Sequence, residues 1–158
     1  MRILVLIATL AVAACGVRSR PFAPELVQPD PPTDLIAKSV PEGVRLTWRR
    51  PTSYSGGKHM RDLAGFEIER AIAPDFDFAV VGTVELTDQN RYQQERSVTW
   101  TDANVVEGTT YRYRVVAATL DHYRSVPSEP VTIEHGPGTT ATAPKPPPKP
   151  RPKQPRAP

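Results

Sequence analysis

Residues 110–118, TYRYRVVAA, put Tyr111, Tyr113, Val115 and Ala117 at every second position, with Arg112 and Arg114 between them. A period of two sends alternate side chains to opposite faces of a strand, apolar residues inward and charged ones outward. The pattern recurs on either side. GVRLTWR (43–49) sets Val44, Leu46 and Trp48 against Arg45, Thr47 and Arg49, and GFEIERA (65–71) sets Phe66, Ile68 and Arg70 against Glu67 and Glu69. LIAKSV (35–40), AVVGTVEL (79–86), SVTWTD (97–102) and PVTIEH (130–135) complete the set, with turn residues between them. Seven short strands without a helical period predict an all-β fold of two packed antiparallel sheets. The chain has one cysteine, so no disulfide joins the sheets. The core rests on apolar burial, with Trp48 at its centre.

The rest of the 158 residues differs in kind. Nineteen prolines cluster at the flanks, in PFAPELVQPDPP and APKPPPKPRPKQPRAP. The net charge of +3 is unevenly spread. Residues 30–135 hold sixteen acidic and twelve basic side chains, a balance of −4. Residues 136–158 hold Lys145, Lys149, Arg151, Lys153 and Arg156 and no acid, a balance of +5. The tail is low in complexity and too proline-rich to build a core, and it favours extended polyproline II. Gly136 and Gly138 flank a proline and read as a hinge.

At the N-terminus, Arg2 precedes an apolar run over residues 3–12 and two small residues, Ala13 and Ala14. This is the layout of a secretory signal, and the run is too short for a stable bilayer span. Val12-Ala13-Ala14-Cys15 resembles the lipobox of bacterial lipoproteins. The resemblance implies cleavage after residue 14, a diacylglyceryl group on the Cys15 sulfur and a fatty acyl chain such as palmitate on the new amine. Two or three chains give durable anchoring where one does not. Gly16 stands where an Asp would mark inner-membrane retention in that family, which favours the outer membrane. Residues 15–29 read as a lipidated tether.

Residues 30–135 resemble the fibronectin type III family. Pro31, Pro32 and Leu35 match its opening, Trp48 and Pro51 its second strand, and Phe66, Ile68 and Arg70 its third. Val105, Glu107, Thr109 and Tyr111 match its late turn, with Glu107 replacing a proline and Val105 a leucine. Ser125, Pro127 and Ser128 precede the last strand. The resemblance implies a seven-stranded immunoglobulin-like sandwich with disordered flanking arms. It also implies a Tyr111 hydroxyl bonded back to nearby backbone.

No catalytic constellation has useful spacing, no metal-ligand motif occurs, and no cofactor is implied. Asp75 and Asp77 in PDFDF are two apart around a phenylalanine, and two carboxylates can serve glycoside hydrolysis. Their plainer reading is a polar loop whose Phe76 or Phe78 covers the core edge. The arginines of 45, 49, 112 and 114 read as a solvated face balanced by Glu67 and Glu69. What remains is binding. In the family the loops after the second strand and before the last share one pole. Here they supply Tyr54, Lys58, His59, Met60 and Arg61, then Asp121, His122, Tyr123 and Arg124. Tyr and Arg are frequent interface anchors. Seven reversing strands would place the two chain ends at opposite poles, so that the basic tail points away from the anchoring membrane. The expected function is a non-enzymatic envelope lipoprotein, a membrane-tethered binding or spacer module. Its expected partners are the membrane through Cys15, an anionic wall polymer such as peptidoglycan through the tail, and an unidentified protein, with no nucleic acid. The alternative is an accessory subunit of an envelope export or carbohydrate-processing assembly.

Overall fold

A computed structural model describes residues 24–91 and 96–147. The signal, Cys15 and the tail residues Lys149, Arg151, Lys153 and Arg156 lie outside them. Lys145 lies inside and is exposed. In chain order the elements are α1 (Pro24–Val27), β1 (Thr33–Val40), β2 (Gly43–Arg49), β3 (Leu63–Ile72), β4 (Ala79–Glu85), α2 (Asp88–Arg91), β5 (Ser97–Asp102), β6 (Thr110–Thr119), β7 (Val131–Glu134) and β8 (Thr140–Thr142). They form two antiparallel four-stranded sheets, ordered β5-β2-β1-β8 and β4-β3-β6-β7. The fold is an all-β sandwich of two antiparallel sheets, as the alternation predicted, and its layering fits the immunoglobulin-like sandwich that the resemblance implied.

The alternation holds residue by residue. Leu35, Val44, Leu46, Trp48, Phe66, Ile68, Tyr113, Val115, Val131 and Ile133 are all buried between the sheets. Trp48 is fully buried and meets Phe66 edge-on, with ring centroids 5.4 Å apart. That geometry suits the quadrupoles of two aromatic rings. At the open side between β4 and β5, the Trp100 ring lies against Gly82. A Cβ there would stand 2.3 Å from the ring, so only glycine lets Trp100 close this edge.

Arg70 keeps the inward phase of Phe66 and Ile68, since β3 holds an unbroken register with β6 from Gly65 to Ile72 and the extra residue at the Ile68/Glu69 shift, Val81, belongs to β4. The guanidinium then reaches Asp102 Oδ2 at 2.7 Å and the Asn104 carbonyl at 2.7 Å. The Tyr113 hydroxyl donates to the same Asp102 oxygen at 3.0 Å. A buried carboxylate thus has charged and neutral donors on it, which such burial requires. The Tyr111 hydroxyl accepts the Val106 N–H at 2.8 Å, the backbone bond that the resemblance implied.

Two expectations are corrected. The described residues include two helices, each a single four-residue turn, too short to leave a period in the sequence. And eight strands stand where seven were predicted. Residues 136–139, Gly-Pro-Gly-Thr, form a tight turn in which the Thr139 N–H donates to the Gly136 carbonyl at 3.2 Å and Gly138 has φ 75°. Proline in the second place and a positive-φ glycine in the third are the requirements of a type II turn. The Ser39 hydroxyl fastens the turn, accepting the Gly136 N–H at 3.1 Å beside His135 Nδ1 at 3.0 Å. The chain then runs back along β1 as β8, pairing Lys38 with Thr140 and Ile36 with Thr142. The Ala143 N–H closes on the Leu35 carbonyl at 2.8 Å.

This reversal changes the exits. Pro144 and Pro146 line one groove with Pro31 and Pro32, so the tail leaves at the pole where the chain enters. The expectation of ends at opposite poles fails, because it rested on an odd number of strands. A corresponding result is expected from truncation. Deleting residues 148–158 leaves the melting temperature unchanged, whereas deleting 139–158 lowers stability by about 1–3 kcal/mol, a drop of several degrees for a domain of this size. Calorimetry of the two truncated chains distinguishes a paired β8 from a loose tail.

Candidate functional site

The loops predicted to share a pole do so, and each is built by its own backbone. After Pro51 the chain forms a small hairpin. Ser53 bridges His59, the Tyr54 N–H donates to the Lys58 carbonyl at 2.9 Å, and Gly57 turns the tip with φ 83°. The N-terminal segment docks along its other edge. The Ser55 N–H donates to the Gln28 carbonyl at 2.8 Å and the Asp30 N–H to the Ser53 carbonyl at 2.9 Å, with Pro29 buried between. Residues 28–30 are therefore part of the folded unit rather than the end of a tether.

The β6–β7 loop is held differently. Ser125 Oγ accepts the Ala117 N–H at 2.9 Å and Ser128 Oγ accepts the Val115 N–H at 3.0 Å. The two hydroxyls satisfy β6 donors beyond the reach of the short β7. That is the physical reason for the Ser-x-Pro-Ser spacing. The two loops join where the Leu120 N–H donates to the Asp62 carbonyl at 2.9 Å.

Of the predicted contact residues, Lys58, His59, Arg61 and His122 are exposed here, and Tyr123 is 38% exposed. Arg124 is exposed too, and one residue does not belong to the open surface. Met60 is 6% exposed and packs in the core, because its N–H pairs with the Thr52 carbonyl and turns the side chain inward. Arg124 is held across the outer face of β3 by Glu67 and Glu69. Tyr54 is half-buried, and its hydroxyl donates to Asp62 Oδ1 at 2.5 Å. The alternation could not show this, since it concerns a loop.

Burial, the Asp62 hydrogen bond and charge, and the charge of Asp121 push the Tyr54 phenol up to about 12. The native state therefore keeps a proton that the unfolded chain, titrating near pH ~10, has lost. This stabilisation is complete below pH ~10 and is lost as pH rises through the folded value. Tyrosine absorbance titration is expected to show Tyr54 ionising well above an ordinary phenol. Asp62→Asn brings its midpoint down, though not fully, because burial is the leading cause. An unshifted midpoint in the Asn variant would remove Asp62 from this account.

The outer faces carry a further correction. Arg45 and Arg49 lie on one sheet, within 3.8 Å of Glu42 and Asp34 respectively, while Arg112 and Arg114 lie on the other. They are two faces rather than one. Phe76 and Phe78 do not cover the core edge. They stack on Arg112 and Arg114, with centroid distances of 4.3 and 4.0 Å, and Glu69 pairs with Arg114. Arginine over an aromatic face is favourable even at the surface. PDFDF is thus a clamp on the sheet, with Asp75 and Asp77 on either side of Phe76. Among the described residues no three His, Cys, Asp or Glu side chains gather to hold a metal. No described helix is long and apolar enough to cross a membrane.

The sequence matches no family model and no curated protein. Solved structures similar to it include an Fn3-like protein from Clostridium thermocellum, 20% identical over 68% of this chain and 94% of that one, with TM-score 0.45. Titin module A71 from human cardiac muscle is 24% identical over 64% of this chain and 86% of the module, with TM-score 0.45. The twitchin kinase region from C. elegans is 22% identical, with TM-score 0.49. The match covers 68% of this chain but only 16% of that one.

Proposed function

We propose that this protein is a non-enzymatic lipoprotein of the cell envelope, a lipid-anchored sandwich that serves as a binding or spacer module. The observation that carries the reading is the stretch Val12-Ala13-Ala14-Cys15 after an apolar leader, in a chain with no other cysteine. The fold supports it. A sandwich whose buried polar groups are structurally engaged, as Asp102 and Ser128 are, offers a scaffold and a surface rather than a reaction centre. Gly16 after the cysteine favours the outer membrane as its location. Mass spectrometry of the mature protein tests the anchor. The expected product begins at Cys15 and carries a diacylglyceryl group and an amide-linked acyl chain. A bare thiol or an uncleaved leader would overturn it.

A second reading, docking into a larger envelope assembly, is favoured by apolar side chains left open around the β6–β7 loop. Leu120 is 51% exposed and Val126 61%. A photocrosslinker at Tyr123 in intact cells is expected to trap one protein partner under this reading, and the absence of any adduct would overturn it.

A further inference from the structure

The pole opposite the 53–59 hairpin holds an open cavity of about 360 Å³, within the range of small-molecule sites. β1 and the turn after it supply Ser39, Val40 and Pro41. The loop before β6 supplies Glu107, and the end of β7 with its turn supplies His135 and Pro137. From this convergence we infer that the cavity binds a vicinal amino alcohol, its ammonium on Glu107 and its hydroxyl on His135. The inference goes beyond the anchor proposed above and stands whether or not Cys15 is lipidated.

Two departures from the fibronectin type III resemblance build this site. Glu107 replaces a proline in the turn 106–109, where the Thr109 N–H donates to the Val106 carbonyl at 3.2 Å and Gly108 has φ 77°. Proline suits the second place of such a turn for its φ, so glutamate there keeps the turn and adds a carboxylate. That carboxylate is exposed and has no partner among the described residues. The turn at 136–139 is the other departure, and its Pro137 closes the cavity. Backbone pairing then sets Glu107 beside His135. The Gly108 N–H donates to the His135 carbonyl at 2.8 Å, and the His135 N–H donates to the Thr109 carbonyl at 2.9 Å. Ser39 fixes the ring. Its Oγ accepts the Gly136 N–H at 3.1 Å, so its own proton goes to His135 Nδ1, 3.0 Å away. The other tautomer would strand the hydroxyl proton of a residue only 7% exposed. The neutral imidazole therefore carries its proton on Nε2 and offers a donor beside the Glu107 acceptor. An ammonium with a hydroxyl on the next carbon satisfies both at once, and Val40, Pro41 and Pro137 give its carbon body apolar walls. A metal fits less well, since no three His, Cys, Asp or Glu side chains gather among the described residues.

The test uses the full chain as purified from its host in detergent, titrated with glucosamine and with ethanolamine. Both carry the vicinal ammonium and hydroxyl, one as a sugar and the other as a lipid headgroup presents them. Saturable binding on the order of 1 mM or tighter is expected from a charge-assisted contact in an open site. Tighter glucosamine identifies a sugar as the source, and tighter ethanolamine a headgroup. Amide resonances of Gly108, Gly136 and Gly138 are expected to shift on binding. N-acetylglucosamine, which has no ammonium, and ethylamine, which has no hydroxyl, are expected to bind ~tenfold or more weakly. Glu107→Gln is expected to weaken binding by ~tenfold or more and to leave the melting temperature unchanged, because the carboxylate makes no bond in the free protein. Nitrogen-15 spectra of the His135 ring are expected to show the proton on Nε2, and a ring protonated on Nδ1 instead would remove the donor and overturn the inference. Absence of saturable binding overturns it as well, as do equal affinity for N-acetylglucosamine, an unaffected Glu107→Gln variant, or shifts confined to residues away from the cavity.

Discussion

Truncating Trp48 to alanine is expected to lower unfolding free energy by about 3–5 kcal/mol, a large share of the ~5–15 kcal/mol typical of a folded domain. The indole is fully buried on β2, opposite Val98 of β5 and edge-on to Phe66 of the other sheet. It therefore spans both layers, and neither sheet can collapse into the space it leaves without losing the contacts of the other. The indole nitrogen adds a second discrimination. Trp48 Nε1 has no hydrogen-bond partner among the described residues. Trp48→Phe thus removes ring volume and a donor that makes no bond, and is expected to lose only ~1–2 kcal/mol. Urea unfolding followed by circular dichroism compares the two variants. An alanine variant within ~1 kcal/mol of the parent would contradict a core centred on this ring.

Asp102→Ala is expected to be as damaging, again about 3–5 kcal/mol, for a different reason. Asp102 is 2% exposed and terminates β5. Its carboxylate accepts from the Arg70 guanidinium, the Tyr113 hydroxyl and the Asn104 N–H. Removing it strands a largely buried cation and a buried hydroxyl at once. Their ionisation shows the coupling. The carboxylate holds the Arg70 guanidinium above its usual range even though burial opposes the charge. Burial first, and then the Asp102 charge, push the Tyr113 phenol up strongly. Removing the whole network is expected to be gentler than removing its acceptor. Arg70→Met with Tyr113→Phe in the Asp102→Ala background leaves no buried polar group waiting for a partner, and recovers more than half of the loss. If the triple variant were no more stable than the single one, the loss would come from backbone distortion near Gly43. There a Cβ would stand only 1.9 Å from the Asp102 carbonyl.

These two positions were unequally visible beforehand. Trp48 follows from alternation alone, because a large aromatic in phase with inward-facing Val44 and Leu46 has one place to go. Arg70 was aligned with the inward residues, but no sequence pattern names Asp102 as its partner. The two are 32 residues apart on different sheets. Only the packing of one sheet on the other brings them to 2.7 Å.

The candidate binding pole divides the same way. Lys58, His59, Arg61, His122 and Tyr123 are exposed because loops between strands stay wet. Met60 was misassigned because backbone pairing within the loop turns its side chain inward, whereas Arg124 is exposed, with Glu67 and Glu69 of β3 as partners that loop composition does not name.

By itself the sequence determined seven of the eight described strands, the two-layer burial and the charge of the arms. Period-two alternation and composition are local properties, and they need no knowledge of which strands become neighbours. Only the tertiary structure decided where the arms go. Gly136-Pro137-Gly138 carries the chemistry of a tight turn as well as of a loose hinge, and three residues of β8 are too few to show a period. What made them a strand was the free edge of β1, whose Ile36–Lys38 backbone offered hydrogen bonds to any chain turned back along it. That non-local pairing converts an odd number of strands into an even one, and brings the leaving segment at Pro144 and Pro146 beside the entering segment at Pro31 and Pro32.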